Sequence, residues 1–110
     1  MEEGKGIVYS VPKTVLYDIS IQEIPEFKTF TGMVQTAIID GKKFLLHNEA
    51  SFTFKIVDGK VDIINGWHTG TEDFTFSKTE GDNCEEYIEE YNPGLLKQLN
   101  TKLKEMGYNV

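Results

Sequence analysis

The spacing of apolar residues changes once along the chain, at about residue 78. Before that point, short apolar runs alternate with polar residues, as in strands with one buried face. GIVYSV (residues 6–11) and DFTFS (residues 73–77) are the outermost clear runs. After about residue 78, apolar residues recur every three or four positions, as in amphipathic helices. We therefore predict an α+β fold: a curled antiparallel sheet or partial barrel of about six or seven strands, closed by one or two C-terminal helices.

Two Asp-Gly pairs, Asp40-Gly41 and Asp58-Gly59, each lie between apolar runs. Asp-Gly tolerates the positive φ angles of a two-residue type I′ turn, so each pair predicts a β-hairpin. The turn at Asp58-Gly59 places Val57 opposite Lys60 and fixes the pairing outward from there. One face of this hairpin is then predicted to face the core through five large apolar side chains: Phe52, Phe54, Ile56, Val61 and Ile63.

The same register, continued to the ends of the two strands, makes a prediction about the tryptophan. It places Ala50 opposite Trp67 on the core face and Glu49 opposite His68 on the other face. Trp67 would then belong to the core, with a ligand or partner contact as the alternative interpretation.

The helical region has recognisable start and stop signals. Asp82, with Glu85 three residues later, fits a capping box that opens a short helix ending near Tyr91. Asn92 is predicted to cap a second helix, with Pro93 at its first position. The second helix should place one apolar stripe on the sheet: Leu95, Leu96, Leu99, Leu103 and Met106.

Length and composition restrict the class of protein. A chain of 110 residues is expected to be one domain, residues 1–110, with strands mostly in 1–78 and helices in 82–107. Hydrophobic residues at 39% and aromatic residues at 12% indicate a folded protein. We expect neither a membrane span nor a signal peptide. Since Cys84 is the only cysteine, no internal disulfide can form, and we expect a reducing, cytoplasmic setting.

The charge of the chain indicates which kinds of partner the protein would bind. The formal net charge is −7, and all 11 basic residues are lysines. Without arginine the chain lacks the bidentate group favoured for phosphate and guanine, so direct nucleic-acid binding is not expected. Residues 79–92 (TEGDNCEEYIEEYN) hold six acidic residues and no basic one. This segment predicts attraction to a basic partner.

No catalytic motif is present, and we expect neither an enzyme nor a cofactor. The first hypothesis is a non-enzymatic binding protein, such as an inhibitor or immunity-type protein, that docks on a basic protein surface. A solvated acidic face is the alternative interpretation of the same glutamates. The predicted contact residues are four acids that attract the partner and three aromatic anchors: Glu85, Glu86, Glu89, Glu90, Tyr87, Tyr91 and Trp67.

The second hypothesis is a small-molecule or metal site at the mouth of the curled sheet, near Trp67-His68. His47, Glu49 and His68 would form a two-histidine, one-carboxylate set if they shared a face. We do not predict a resident metal, because no tight ligand spacing such as HExxH is present and residues 47–49 also fit a turn or bulge. A structural subunit of a larger assembly is the third hypothesis.

Overall fold

The computed structural model describes residues 16–69 and 73–110. Five antiparallel strands form one sheet in which each strand pairs with the next along the chain, and two helices follow. The fold class is therefore α+β, as predicted. The elements are β1 (Leu16–Ile24), β2 (Thr29–Ile39), β3 (Lys42–Val57), β4 (Lys60–His68), β5 (Phe74–Ser77), a 3-10 turn (Lys78–Glu80), α1 (Cys84–Tyr91) and α2 (Leu95–Glu105).

The sheet is open, because β1 and β5 lie at opposite ends of the strand order and do not pair with each other. The predicted partial barrel of six or seven strands is not confirmed: five strands lie within the described residues. The strand predicted at residues 6–11 lies outside them. No helix in the described part of the chain has the length and apolar character needed to cross a bilayer.

Both predicted hairpin turns are confirmed. Asp40 and Gly41 have φ angles of 51° and 82°, and Asp58 and Gly59 have φ angles of 51° and 75°. The second hairpin pairs as predicted from Val57–Lys60 outward to Phe54–Ile63. Its predicted core face packs inward, since the side chains of Phe52, Phe54 and Ile63 are buried.

A one-residue bulge at Ile64 then breaks the predicted register of β3 with β4. Because successive side chains of a strand point to opposite faces, one extra residue exchanges the faces of everything beyond it. Ala50 pairs with His68, so the predicted pairs Ala50–Trp67 and Glu49–His68 are wrong. His68 is buried in the core, and Trp67 points to the other face with 44% of its surface exposed.

A larger irregularity lies where β3 leaves β2. Four residues of β3, 46–49, lie opposite Gln35 alone, because Val34 pairs with Ala50 while Thr36 pairs with Leu45. Residues 47–49, for which the sequence allowed a turn or a bulge, are therefore part of a strand but lie in a wide bulge within it. At this bulge Asn48 contacts the end of α1. The side-chain amide of Asn48 donates to the backbone oxygen of Tyr91 at 3.3 Å, and the side-chain amide of Asn92 donates to the backbone oxygen of Asn48 at 3.1 Å.

The predicted cap of α1 is displaced by one residue. Asn83, not Asp82, is the N-cap, and its side-chain oxygen accepts from the N–H of Glu86 at 3.2 Å. Asp82 instead accepts from the backbone N–H of Ser77 at 2.9 Å, which joins the end of β5 to the start of α1. Side chains of both residue types serve as caps, so the sequence did not distinguish between them.

The start of α2 also differs from the prediction. Gly94, with φ of 84°, precedes the first helical residue, whereas Asn92 ends α1. The predicted stripe is largely confirmed, because Leu95, Leu99 and Leu103 are fully buried against the sheet and α1. Met106 is 48% exposed, since the helix has ended at that point.

At two glycines the backbone of one strand lies too close to its neighbours for a larger residue to fit without a shift. A Cβ atom at Gly66 would lie 2.4 Å from the carbonyl oxygen of Ser51 and 2.8 Å from the Cβ of Phe52. A Cβ at Gly32 would lie 2.5 Å from a ring carbon of Phe52. The first contact involves backbone of the neighbouring strand, and the second involves the ring end of the buried side chain of Phe52.

Candidate functional site

The two helices cover one face of the sheet and leave the other without a described element over it. The covered face carries the large buried side chains, including Phe52, Phe54 and Ile63, against Ile88 of α1 and Leu99 of α2. Trp67 lies on the opposite face, which we call the open face. Because ligands reach a protein at its loops and uncovered surfaces, the open face is the candidate location of a binding site.

Two rows of side chains cross the open face, each with one residue from every strand. The cross-strand pairing defines the first row as Ser20, Met33, Ser51, Trp67 and Thr75. It defines the second as Gln22, Thr31, Thr53, Asn65 and Ser77. None of these side chains carries a charge, although 26% of the chain is charged. The middle of the open face is therefore neutral, and eight of its ten side chains offer hydroxyl or amide groups.

Trp67 separates two shallow depressions on this face. The larger has a volume of about 360 Å³ and its side-chain lining is polar apart from the aromatic rings; it includes Thr53, Asn65 and Thr75. The smaller, of about 170 Å³, lies on the other side of the indole and includes Met33 and Glu49. The indole is thus accessible from two sides, with hydrogen-bonding groups on one side and a carboxylate on the other.

The four glutamates of α1 are of two kinds: two bond to backbone N–H groups and two do not. Glu85 accepts from the backbone N–H of Ile63 at 2.9 Å, and Glu89 accepts from the N–H of Gly94 at 2.7 Å. Since β5 pairs only with residues 65–68 of β4, the Ile63 N–H lies beyond the end of β5, and the Glu85 carboxylate satisfies it. Glu86 and Glu90 are exposed, and their side chains make no hydrogen bond or ion pair within residues 16–69 and 73–110.

The two predicted tyrosine anchors on α1 are partly used within the protein. Tyr87 packs on Phe74 and Phe76 with ring centroids 5.7 and 5.9 Å apart. Tyr91 packs on His68 and Phe74 with both centroid distances at 5.1 Å. The contact residues predicted as one surface therefore lie on two sides of the molecule, because α1 packs on the covered face and Trp67 lies on the open face.

His68 is enclosed by the rings of Phe74, Phe76 and Tyr91. Neither ring nitrogen makes a hydrogen bond of ordinary geometry among the described residues, although the imidazole lies close enough to the backbone of Glu49 to interact with it. Burial lowers the pKa of His68, and its interaction with the backbone of Glu49 opposes that shift only in part. The neutral imidazole is therefore the form that the core accommodates.

The candidate metal set is not brought together. His47 is exposed, whereas His68 is buried opposite Ala50 and not opposite Glu49. Within the described residues no group of three His, Cys, Asp or Glu side chains is arranged to hold a metal ion. The bulge at Ile64 is the physical reason, because it turns His68 away from the face that would have carried the other two ligands.

Cys84 is buried at the start of α1, and its thiol donates to the carbonyl oxygen of Ile64 at 3.7 Å. Burial raises the pKa of Cys84, and the neighbouring charges of Glu85 and Asp82 raise it further. A thiol in this environment stays protonated near neutral pH and is a poor nucleophile.

No family model, no curated protein sequence and no solved structure matches this chain. The fold and the surfaces described above are therefore the basis for assigning a function. The neutral open face could have been partly predicted, since Thr31, Met33, Thr53 and Ser51 alternate with core residues in the sequence. Trp67 could not have been placed on it without knowledge of the Ile64 bulge.

Proposed function

We propose that this protein is a non-enzymatic binding protein and that its ligand binds on the open face around Trp67. The observation that carries this proposal is the position of the only tryptophan, which is 44% exposed within the two uncharged rows of the open face. A large aromatic ring left accessible beside hydrogen-bonding groups is typical of binding sites. We assign no catalytic role, because Cys84 and His68, the side chains best suited to nucleophilic or base chemistry, are buried.

Replacement of the indole tests this proposal. We expect Trp67→Ala to abolish binding of the ligand while the far-UV circular dichroism stays close to wild type and unfolding stays cooperative, with some loss of stability because more than half of the indole is covered. Phe44→Ala is the matched control, because Phe44 is a similarly exposed aromatic residue on the β2–β3 hairpin. A ligand that binds Trp67→Ala as tightly as wild type would place the site elsewhere.

A second candidate function keeps the sequence hypothesis of docking on a basic protein, as an inhibitor or immunity-type protein does. It is favoured by one specific observation: Glu86 and Glu90 are exposed and unpaired within the described residues of a chain with net charge −7. Exposed charges of this kind accelerate association with an oppositely charged partner. Glu85 and Glu89 contribute to folding through their backbone hydrogen bonds, so their role in docking is the weaker part of this hypothesis.

The second candidate is tested with Glu86→Lys/Glu90→Lys, leaving Glu85 and Glu89 in place. We expect the variant to associate more slowly with a basic partner, and the difference to shrink as salt is raised. Glu26→Lys/Glu105→Lys changes the net charge equally at exposed positions outside α1 and should have a smaller effect. Equal effects of the two double variants would mean that only net charge matters and that α1 is not the docking surface.

A further inference from the structure

We infer that the open face binds a neutral carbohydrate, with a sugar ring stacked on Trp67 and its hydroxyl groups bonded to the polar rows. This inference rests on the proposed function, since it names the ligand class of the same face. It depends on three properties of the face: the lack of charge in its two rows, the accessibility of the indole, and the kind of polar groups beside it.

The absence of charge selects against most other ligands. An anionic ligand such as a phosphate ester requires basic groups, and a basic peptide requires acidic ones. The two rows offer neither. Charged residues flank them: Glu49 lies beyond the first row, and the cross-strand pair Lys55 and Asp62 lies beyond the second, where Asp62 also pairs with Lys78. A ligand that covered the rows would therefore bury no unpaired charge if it were itself neutral.

The indole and the polar groups beside it match the apolar and the polar parts of a sugar ring. The C–H groups of a pyranose ring form an apolar patch that packs on the electron-rich face of an aromatic ring. Around its rim a pyranose carries hydroxyls, each of which donates and accepts. Thr53, Asn65 and Thr75 beside Trp67 in the larger depression supply both donors and acceptors, and Glu49 in the smaller depression supplies a strong acceptor. The larger depression, at about 360 Å³, falls within the range of about 300–1,000 Å³ for small-molecule sites.

The composition of the face also argues against a second copy of the chain as its occupant. Only Met33 and Trp67 among the ten row residues are apolar. Homodimer interfaces are about 65% apolar in area, with a hydrophobic centre, and two copies of this face would bring polar rows against each other. A hydroxyl-rich ligand gains hydrogen bonds at the same positions.

Titration with neutral oligosaccharides tests the inference, using cellohexaose, maltohexaose, xylohexaose and chitohexaose as probes. Because Trp67 is the only tryptophan, its fluorescence reports contact at the site without a label. We expect at least one probe to change the emission saturably with a Kd of about 1 mM or tighter. The affinity should not change between about 0.05 M and about 0.5 M NaCl, where the screening length falls about threefold.

Variants measured by calorimetry distinguish the site from accidental contact. Trp67→Ala should weaken binding at least about tenfold, as removal of a central aromatic anchor does. Trp67→Phe should weaken it less, and Asn65→Ala by about two- to tenfold. Phe44→Ala should bind as wild type does.

Three results would overturn the inference: no probe binds, the affinity falls steeply with salt, or Trp67→Ala binds undiminished. Light scattering adds a fourth, a wild-type dimer that becomes monomeric in Trp67→Ala, which would mean that a second copy covers the face. If no sugar binds but another ligand requires Trp67, the proposed function stands and the carbohydrate inference fails.

Discussion

Replacement of His68 by phenylalanine should stabilise the protein, and increasingly so as the pH falls. The imidazole lies among three aromatic rings with both nitrogens lacking hydrogen-bond partners in the described residues. Each buried polar group left without a partner costs about 1–3 kcal/mol. A phenyl ring removes that cost and fits the same aromatic surroundings, with a small penalty for its slightly larger volume. We expect a net gain of about 1–3 kcal/mol near pH 7.5.

The pH dependence follows from the direction of the pKa shift. Burial lowers the pKa of His68 in the folded protein below its ordinary value of 6.5. As the pH falls through about 6.5, the unfolded chain binds a proton that the folded protein does not, and wild type loses stability by at most about 1.4 kcal/mol per pH unit. The loss stops below the folded-state pKa. The advantage of His68→Phe should therefore grow between about pH 7.5 and about pH 5.5.

Urea unfolding followed by circular dichroism measures this effect at each pH. Subtraction of wild type from His68→Phe cancels the carboxylates, which titrate in both proteins. His47→Gln is the control, because it removes the other histidine of the chain at an exposed position. A difference between His68→Phe and wild type that stays constant or shrinks on acidification would refute the reasoning. His68 would then be protonated or hydrogen-bonded in the folded protein.

Three further predictions concern the contacts that hold the sheet to its neighbours. Gly66→Ala should destabilise the protein by about 1–3 kcal/mol in urea unfolding, and by more than Gly32→Ala, because its new methyl group meets backbone rather than the end of a ring; an equal cost at both positions would contradict this. Glu85→Ala should cost about 1–3 kcal/mol through the unsatisfied N–H on β4, whereas Glu86→Ala should change stability by less than about 0.5 kcal/mol; similar losses would mean that the Glu85 contact is not structural. Cys84 should react with a thiol reagent far more slowly in the folded protein than in urea, and comparable rates would show that the thiol is accessible.

The features that the sequence predicted well are those fixed by local chemistry. Asp40-Gly41 and Asp58-Gly59 form the turns their composition favours, because few residue pairs tolerate positive φ at both positions. The leucine stripe of α2 is predictable for a similar reason, since helical spacing alone places Leu95, Leu99 and Leu103 on one face. The helix starts were less predictable, because several adjacent polar residues were each suitable caps.

The location of the candidate site was not predictable, because it depends on a bulge that leaves no clear trace in the sequence. Ile64 follows Ile63 in an apolar run that reads equally well with or without an extra residue. The contacts made by the bulge are visible only in the folded structure. The bulge places the imidazole of His68 among aromatic rings, and it directs the carbonyl oxygen of Ile64 toward the thiol of Cys84.

This bulge links the core to the open face. Without it, the alternation of side chains along β4 would place Trp67 inward and His68 outward, which is the arrangement that the uninterrupted hairpin register predicts. The protein instead buries an imidazole at a cost in stability and exposes its one indole on a neutral surface. The free energy of transfer from water, taken alone, favours burial of the larger and more apolar indole over burial of the imidazole. The exposed aromatic ring that results supports our proposal that a ligand binds on the open face.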